Sequence, residues 1–147
     1  VIEQRDCEGE ALPNFTFQGI QEGVPPITIN YLHGKRSVLV FWATYDTPWS
    51  SNFKVAQELC EQREKLNINL LAIAVDGSKK DVMKFLERHP SNMPVYHDPN
   101  ANYECSLHVI GSGEQVFIVD SMTRIQIVLE TSPDVLDKIK ATLDRIQ

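Results

Sequence analysis

Asp46, Thr47, Pro48 and Trp49 stand directly after the apolar string Phe41-Trp42-Ala43-Thr44, with Tyr45 between them. Thr47-Pro48 is a helix start signal: a hydroxyl can cap the helix, and proline fits its first turn, where a missing N–H costs nothing. A carboxylate at such a helix start has two readings. Asp46 either caps the helix and does nothing more, or presents an anion to the hydrogen-bond donors of a bound partner. Trp42, Tyr45 and Trp49 crowd the same turn. Trp42 is expected in the core. Tyr45 and Trp49 either fill space or form an exposed aromatic platform, the kind of surface that dominates binding hot spots.

Thiol chemistry is the other candidate, and spacing argues against it at this turn. The cysteines are Cys7, Cys60 and Cys105, an odd number with no CxxC or metal-ligand spacing, and none stands between Cys7 and Cys60. Disulfide exchange begins with a thiolate attacking a sulfur, which neither Asp46 nor Trp49 can do. Cys60 is expected as a small buried side chain on the inward face of a helix. Cys7 and Cys105 are the cysteines open to a redox role. His33, His89, His97 and His108 fall at turns or element ends without HxH, HExxH or Cys/His spacing, so no metal site and no cofactor are expected.

The elements that must position this turn follow from periodicity. Residues 1–11 are polar and acidic and read as a flexible arm. Alternating stretches at 14–17 and 27–30, separated by a Gly/Pro-bearing turn, predict an entry hairpin. The run 37–43 is continuously β-prone, as in a strand buried on both faces, and is expected at the centre of a sheet. A helix is expected over 48–66, its inward face carrying Phe53, Ala56, Leu59 and Cys60 and its edge reaching Arg63. A buried strand at 68–76, a helix at 81–88 ending before Pro90, and an extended piece at 93–99 come next. A helical turn near 100–105, two strands around a turn at 121–123, and a last helix started by Ser132-Pro133-Asp134 complete the order. The whole reads as one α/β domain over residues 1–147, a mixed sheet flanked by helices on both faces with an N-terminal hairpin extension.

Charge and hydropathy narrow the partner. Fourteen Lys and Arg are scattered against twenty Asp and Glu, a net charge of −6, which disfavours nucleic acid or an anionic membrane surface. The longest apolar run, 38–43, is too short to span a bilayer, so no membrane insertion is expected. The chain opens on Val1 rather than Met, consistent with a removed leader or a trimmed start.

Several strings carry a family resemblance: LPNFTF, then ITINYLHGKRSVLVFWAT, the long helix, and VYHDPNANYECSLHVIGSGEQVFIVD. Over residues 12–147 the chain resembles the thioredoxin fold in its TlpA/ResA-like, AhpC/TSA-related branch. Members of that branch follow FWAT with an aromatic residue and Cys-x-Pro-Cys at the start of the long helix. Here Asp46 stands at the first cysteine position and Trp49 at the second. The family's cis-proline loop, a Gly-x-Pro-Thr-Thr-Phe pattern, corresponds to residues 111–117, with Glu114 where proline is expected. The resemblance implies that Glu114 lies near Asp46 and that polypeptide binds in the groove between them. It also implies that Cys60 and Cys105 lie on opposite faces of the sheet, too far apart for a disulfide, and that the protein acts outside the cytoplasm.

The expected role is therefore non-redox binding of a protein or peptide partner through the former active-site groove. Tyr45, Asp46, Trp49 and Glu114 are the candidate contacts and none is a catalytic residue. Two alternatives stay open: an oxidoreductase or antioxidant-type protein working through a cysteine outside the motif, Cys7 or Cys105 above all, and a structural domain of a larger assembly.

Overall fold

The computed structural model describes residues 8–44, 51–99, 115–130 and 132–146. Its frame is a mixed sheet. The strands are β1 (Thr16–Gly19), β2 (Ile27–Thr28), β3 (Arg36–Trp42), β4 (Ile68–Ala74), β5 (Val95–His97), β6 (Gln115–Val119) and β7 (Ile125–Glu130). Their spatial order is β2-β1-β5-β4-β3-β6-β7. β3, β4 and β5 run parallel to one another, and the remaining pairs are antiparallel. The expected hairpin exists, with Thr16 opposite Thr28 and Phe17 opposite Ile27.

β3 is central because every residue from Ser37 to Trp42 is buried, which suits a strand with neighbours on both edges and layers on both faces. Period-two alternation sends Val38, Val40 and Trp42 to one face and Leu39, Phe41 and Ala43 to the other. The first face is covered by α1 (Ser51–Glu61), α3 (Lys79–Arg88) and α4 (Val135–Arg145), through Phe53, Ala56, Leu59, Val82, Phe85, Val135, Ile139 and Leu143. Trp42 lies 4.6 Å from Phe53 and 5.2 Å from Phe85, ring centroid to ring centroid, so its expected core role is realised. Among the described residues the second face is covered by Leu12, Phe15, Phe17, Ile27 and Leu32, the last from a 3-10 turn at Ile29–Leu32.

Helix boundaries depart from the sequence expectation in three places. The long helix breaks at Gln62 and resumes as the single turn α2 (Arg63–Leu66), which Asn67 closes in the left-handed conformation, its N–H donating to the carbonyls of Arg63 and Glu64. The expected start at Thr47-Pro48 lies outside the described residues, and α1 is described from Ser51. α3 begins at Lys79 rather than 81 because Ser78 caps it, its hydroxyl accepting from the Asp81 N–H at 3.3 Å. In α4, Asp134 occupies the cap position but makes no side-chain cap bond. Its carboxylate accepts from the Ser132 hydroxyl at 2.7 Å, and that bond, with Lys138 nearby, holds it below the usual carboxylate range.

The N-terminal lead-in is tied down where it is described. Gly9 N–H donates to Ile125 O at 2.6 Å, Ile125 N–H donates to Glu10 O at 2.8 Å, and Ala11 bridges to Arg124. The Glu8 carboxylate accepts from Val128 N–H at 2.8 Å. Residues 8–11 thus line the outer edge of β7 rather than hanging free, which protects an exposed strand edge. Residues 1–7 lie outside the described residues.

Candidate functional site

Four of the seven buried polar side chains among the described residues lie at one end of the sheet. Asn52, Asp76, Asp98 and Gln115 are all buried where the parallel strands β3, β4 and β5 end and where β6, antiparallel to β3, begins. Open α/β sheets bind ligands outside the carboxyl ends of their strands, so this end is where a site belongs. It is also the end from which residues 45–50 leave β3 and return to α1.

Each margin of that segment is anchored by a side chain. On the outgoing side, Thr44 donates its N–H to one oxygen of the Asp76 carboxylate at 3.0 Å and its hydroxyl to the other at 2.5 Å. On the returning side, buried Asn52 donates its amide to Phe41 O at 2.9 Å. The Asp76 carbonyl is held in turn by His97 Nε2 at 2.7 Å. A carbonyl only accepts, so Nε2 carries the proton in that bond. One anchor acts on Phe41 near the end of β3 and the other on Thr44, two residues beyond the strand.

Two buried polar atoms at this end, the indole Nε1 of Trp42 and the Oε1 of Gln115, have no hydrogen-bond partner among the described residues. They project to opposite faces of the sheet, because Trp42 belongs to the helix-covered face and Gln115 alternates with Val116 on that same face. They therefore do not form one site. Among the described residues no group of three or more His, Cys, Asp or Glu side chains is arranged to hold a metal ion.

Of the residues singled out in the sequence, Tyr45, Asp46, Trp49, Glu114, Cys7 and Cys105 lie outside the described residues. Cys60 is described, and it is only half-buried, at the edge of the helix-covered core instead of within it. The break at Gln62 brings Arg63 back over it, with Nη1 at 3.0 Å from Sγ and 2.6 Å from the Cys60 carbonyl oxygen. Two clefts, of about 250 and 280 Å³, open on either side of this pair. The first runs along the part of β4 that β5 leaves unpaired, between Tyr31, Lys35 and Tyr96. Burial, and secondarily the neighbouring Tyr31, pushes the Tyr96 phenol up, so it remains a neutral donor. Asp76 and Asn52 were missed by sequence reasoning. Asp76 acts on Thr44, 32 residues away, and Asn52 on the Phe41 carbonyl, and no spacing signals either.

Comparison with known proteins identifies the family. The AhpC/TSA family profile matches residues 9–128, most of the chain. The chain belongs to the AhpC/TSA family. Its relatives place it in the thioredoxin-fold, ResA-like branch of thiol–disulfide oxidoreductases. It is 26% identical over 141 residues to the thiol-disulfide oxidoreductase ResA of Oceanobacillus iheyensis, covering 95% of this chain and 69% of that one. Among solved structures it is similar to a thiol:disulfide interchange protein DsbE of Chlorobium tepidum, with TM-score 0.79 and 19% identity over 94% of this chain and 96% of that one. It is also similar to the pneumococcal exposed lipoprotein thioredoxin of Streptococcus pneumoniae, with TM-score 0.75 and 18% identity over 91% of this chain and all of that one. At these identities the two structures speak for the fold alone.

Proposed function

We propose that this AhpC/TSA family member binds an extended polypeptide without dithiol chemistry, through the groove at the carboxyl ends of β3 and β4. One observation carries the reading: the junction between β3 and α1 contains no cysteine, since none occurs between Cys7 and Cys60. Without a thiolate there, no mixed disulfide can form at that position. Asp46 supplies a permanent anion at the helix start, and Tyr45 and Trp49 supply amphipathic surface, with Glu114 as a further contact. An extended segment offers main-chain N–H groups to both carboxylates. A site of action outside the cytoplasm is part of the proposal and rests on the family resemblance alone.

The test is a titration with reduced, carboxamidomethylated α-lactalbumin, an unfolded chain without free thiols, read by isothermal titration calorimetry. Saturable binding is expected, weakened about tenfold or more by Trp49→Ala as for a central aromatic contact. Absence of saturable binding, or a Trp49→Ala variant that binds as well as the parent, rejects the reading. A second reading has one observation in its favour, the half-exposed Cys60 thiol with Arg63 against its sulfur: an oxidoreductase working through a cysteine outside the junction.

A further inference from the structure

We propose that the amino-terminal half of β4 is a second binding edge, to which an extended acidic peptide adds as a strand. In a parallel ladder the N–H and C=O of one residue point to the same neighbour, and successive residues alternate between the two neighbours. Val75 N–H donates to Trp42 O of β3, while Ala74 O accepts from Asp98 N–H just beyond β5, both at 2.9 Å. Ile68 and Leu70 share the parity of Ala74, so their main-chain groups point to the β5 side. β5 does not reach them, since its pairing with β4 starts at Val95 opposite Ala72. In that register the next donor would come from Pro94, which has no N–H, so among the described residues no ladder donor faces the Leu70 carbonyl.

The cleft of about 250 Å³ follows this open stretch, along residues 68–71, and straddles the sheet. Of its lining, Cys60 and Leu70 pack with the helix-covered core, Ile27 and Tyr96 with the opposite one. An added strand sends successive side chains to those two sides in turn. Lys35 and Arg63 also line the cleft, against a single acidic side chain, Glu64. In a chain of net charge −6, that local excess of cation selects an acidic strand. A second copy does not fit, because pairing this edge with itself brings like cations together. The edge is at the amino end of β4, away from the groove proposed above at its carboxyl end, and failure of either leaves the other standing.

The probe is the peptide acetyl-Thr-Val-Glu-Glu-Val-Thr-amide, whose adjacent carboxylates project to opposite sides when it is extended. It is titrated into the isotope-labelled native chain at low ionic strength, and binding is followed by amide chemical shifts and hydrogen exchange. Saturable shifts are expected at the amides of residues 68–71, with exchange at Leu70 slowed at least about tenfold. Lys35→Gln and Arg63→Gln are each expected to weaken binding about threefold, as loss of an exposed ion pair does, and Glu64→Gln to strengthen it about twofold. All three side chains are exposed, so the variants keep the fold. The same peptide N-methylated at its four central residues, which keeps the charge and removes the donors, is expected not to bind, and neither is the version with lysine for glutamate. The proposal is overturned if no saturable shift occurs at residues 68–71, or if the N-methylated peptide binds as well as the parent peptide. It is equally overturned if free glutarate produces the same shifts, which would make the cleft a small-anion site. Shifts at these amides on raising the protein concentration without peptide would replace the acidic strand by a second copy of the chain.

Discussion

A chain carrying Asp46→Cys and Trp49→Cys together is expected to reduce insulin disulfides in the presence of dithiothreitol at least about 100-fold faster than the parent, which stays at background. The expectation rests on what surrounds the junction. α1 is seated by Phe53, Ala56 and Leu59, all buried against β3 and its neighbours, and its amino-terminal margin is pinned by Asn52 to Phe41 O. A thiol placed at the start of that helix meets unsatisfied N–H groups and the positive end of the dipole, which favour the thiolate. Thr47-Pro48 already separates the two positions by the spacing a resolving thiol requires. Asp46→Cys alone is expected to form mixed disulfides that accumulate without turnover. A folded double variant with only background activity would mean that the junction does not present its helix start as the family does.

Arg36→Met is expected to cost about 3 kcal/mol of stability, from two charge-assisted hydrogen bonds each worth roughly 1.5–3 kcal/mol and discounted for partial exposure. Arg36 opens β3 and forks to two carbonyls far apart in the chain, Leu143 O from Nη1 at 2.5 Å and Leu66 O from Nη2 at 2.6 Å. Both carbonyls sit in the last turn of a helix, α4 and α2, where the dipole is negative, and the Leu143 carbonyl also accepts from the Ile146 N–H at 3.4 Å. One guanidinium thus closes two helix ends on the side of the sheet away from the candidate site. Methionine keeps much of the stem and removes the donors. Arg36→Lys is expected to recover less than half of the loss, because an ammonium cannot reproduce the planar fork. Urea unfolding followed by far-UV circular dichroism gives the comparison, and an Arg36→Met midpoint equal to the parent's would remove Arg36 from this role.

What the sequence made legible was whatever local pattern dictates. β3 and β4 were visible as apolar runs because strands covered on both faces need no alternation, and α3 and α4 as apolar stripes at helical spacing. The hairpin showed in its turn residues. The break at Gln62 was not visible, because no glycine or proline marks it and Asn67 closes the helix after it. The Ser78 cap was present in the sequence, with Asp81 three residues on, and a reading that gave weight to it would have started α3 correctly. Asp76, Asn52 and Arg36 carry no such mark. Each works by a side chain reaching main-chain atoms of another element, 32 residues away for Asp76 and 107 for Arg36 to Leu143. Contacts of that kind exist only once the sheet order is known. Cys60 was misplaced for a related reason: helical spacing put it inward, while the turn after it, bringing Arg63 over the sulfur, left it at the edge of the core.

Equilibrating the native chain across glutathione redox buffers, then alkylating and mapping its thiols by peptide mass, bears most directly on whether this family member works without a dithiol. Cys7, Cys60 and Cys105 are expected to remain separately alkylatable at every poise, with no reversible intramolecular disulfide. A disulfide that forms and opens within that range, or one cysteine selectively joined to glutathione, would contradict the proposal and identify the residue through which the protein does redox chemistry.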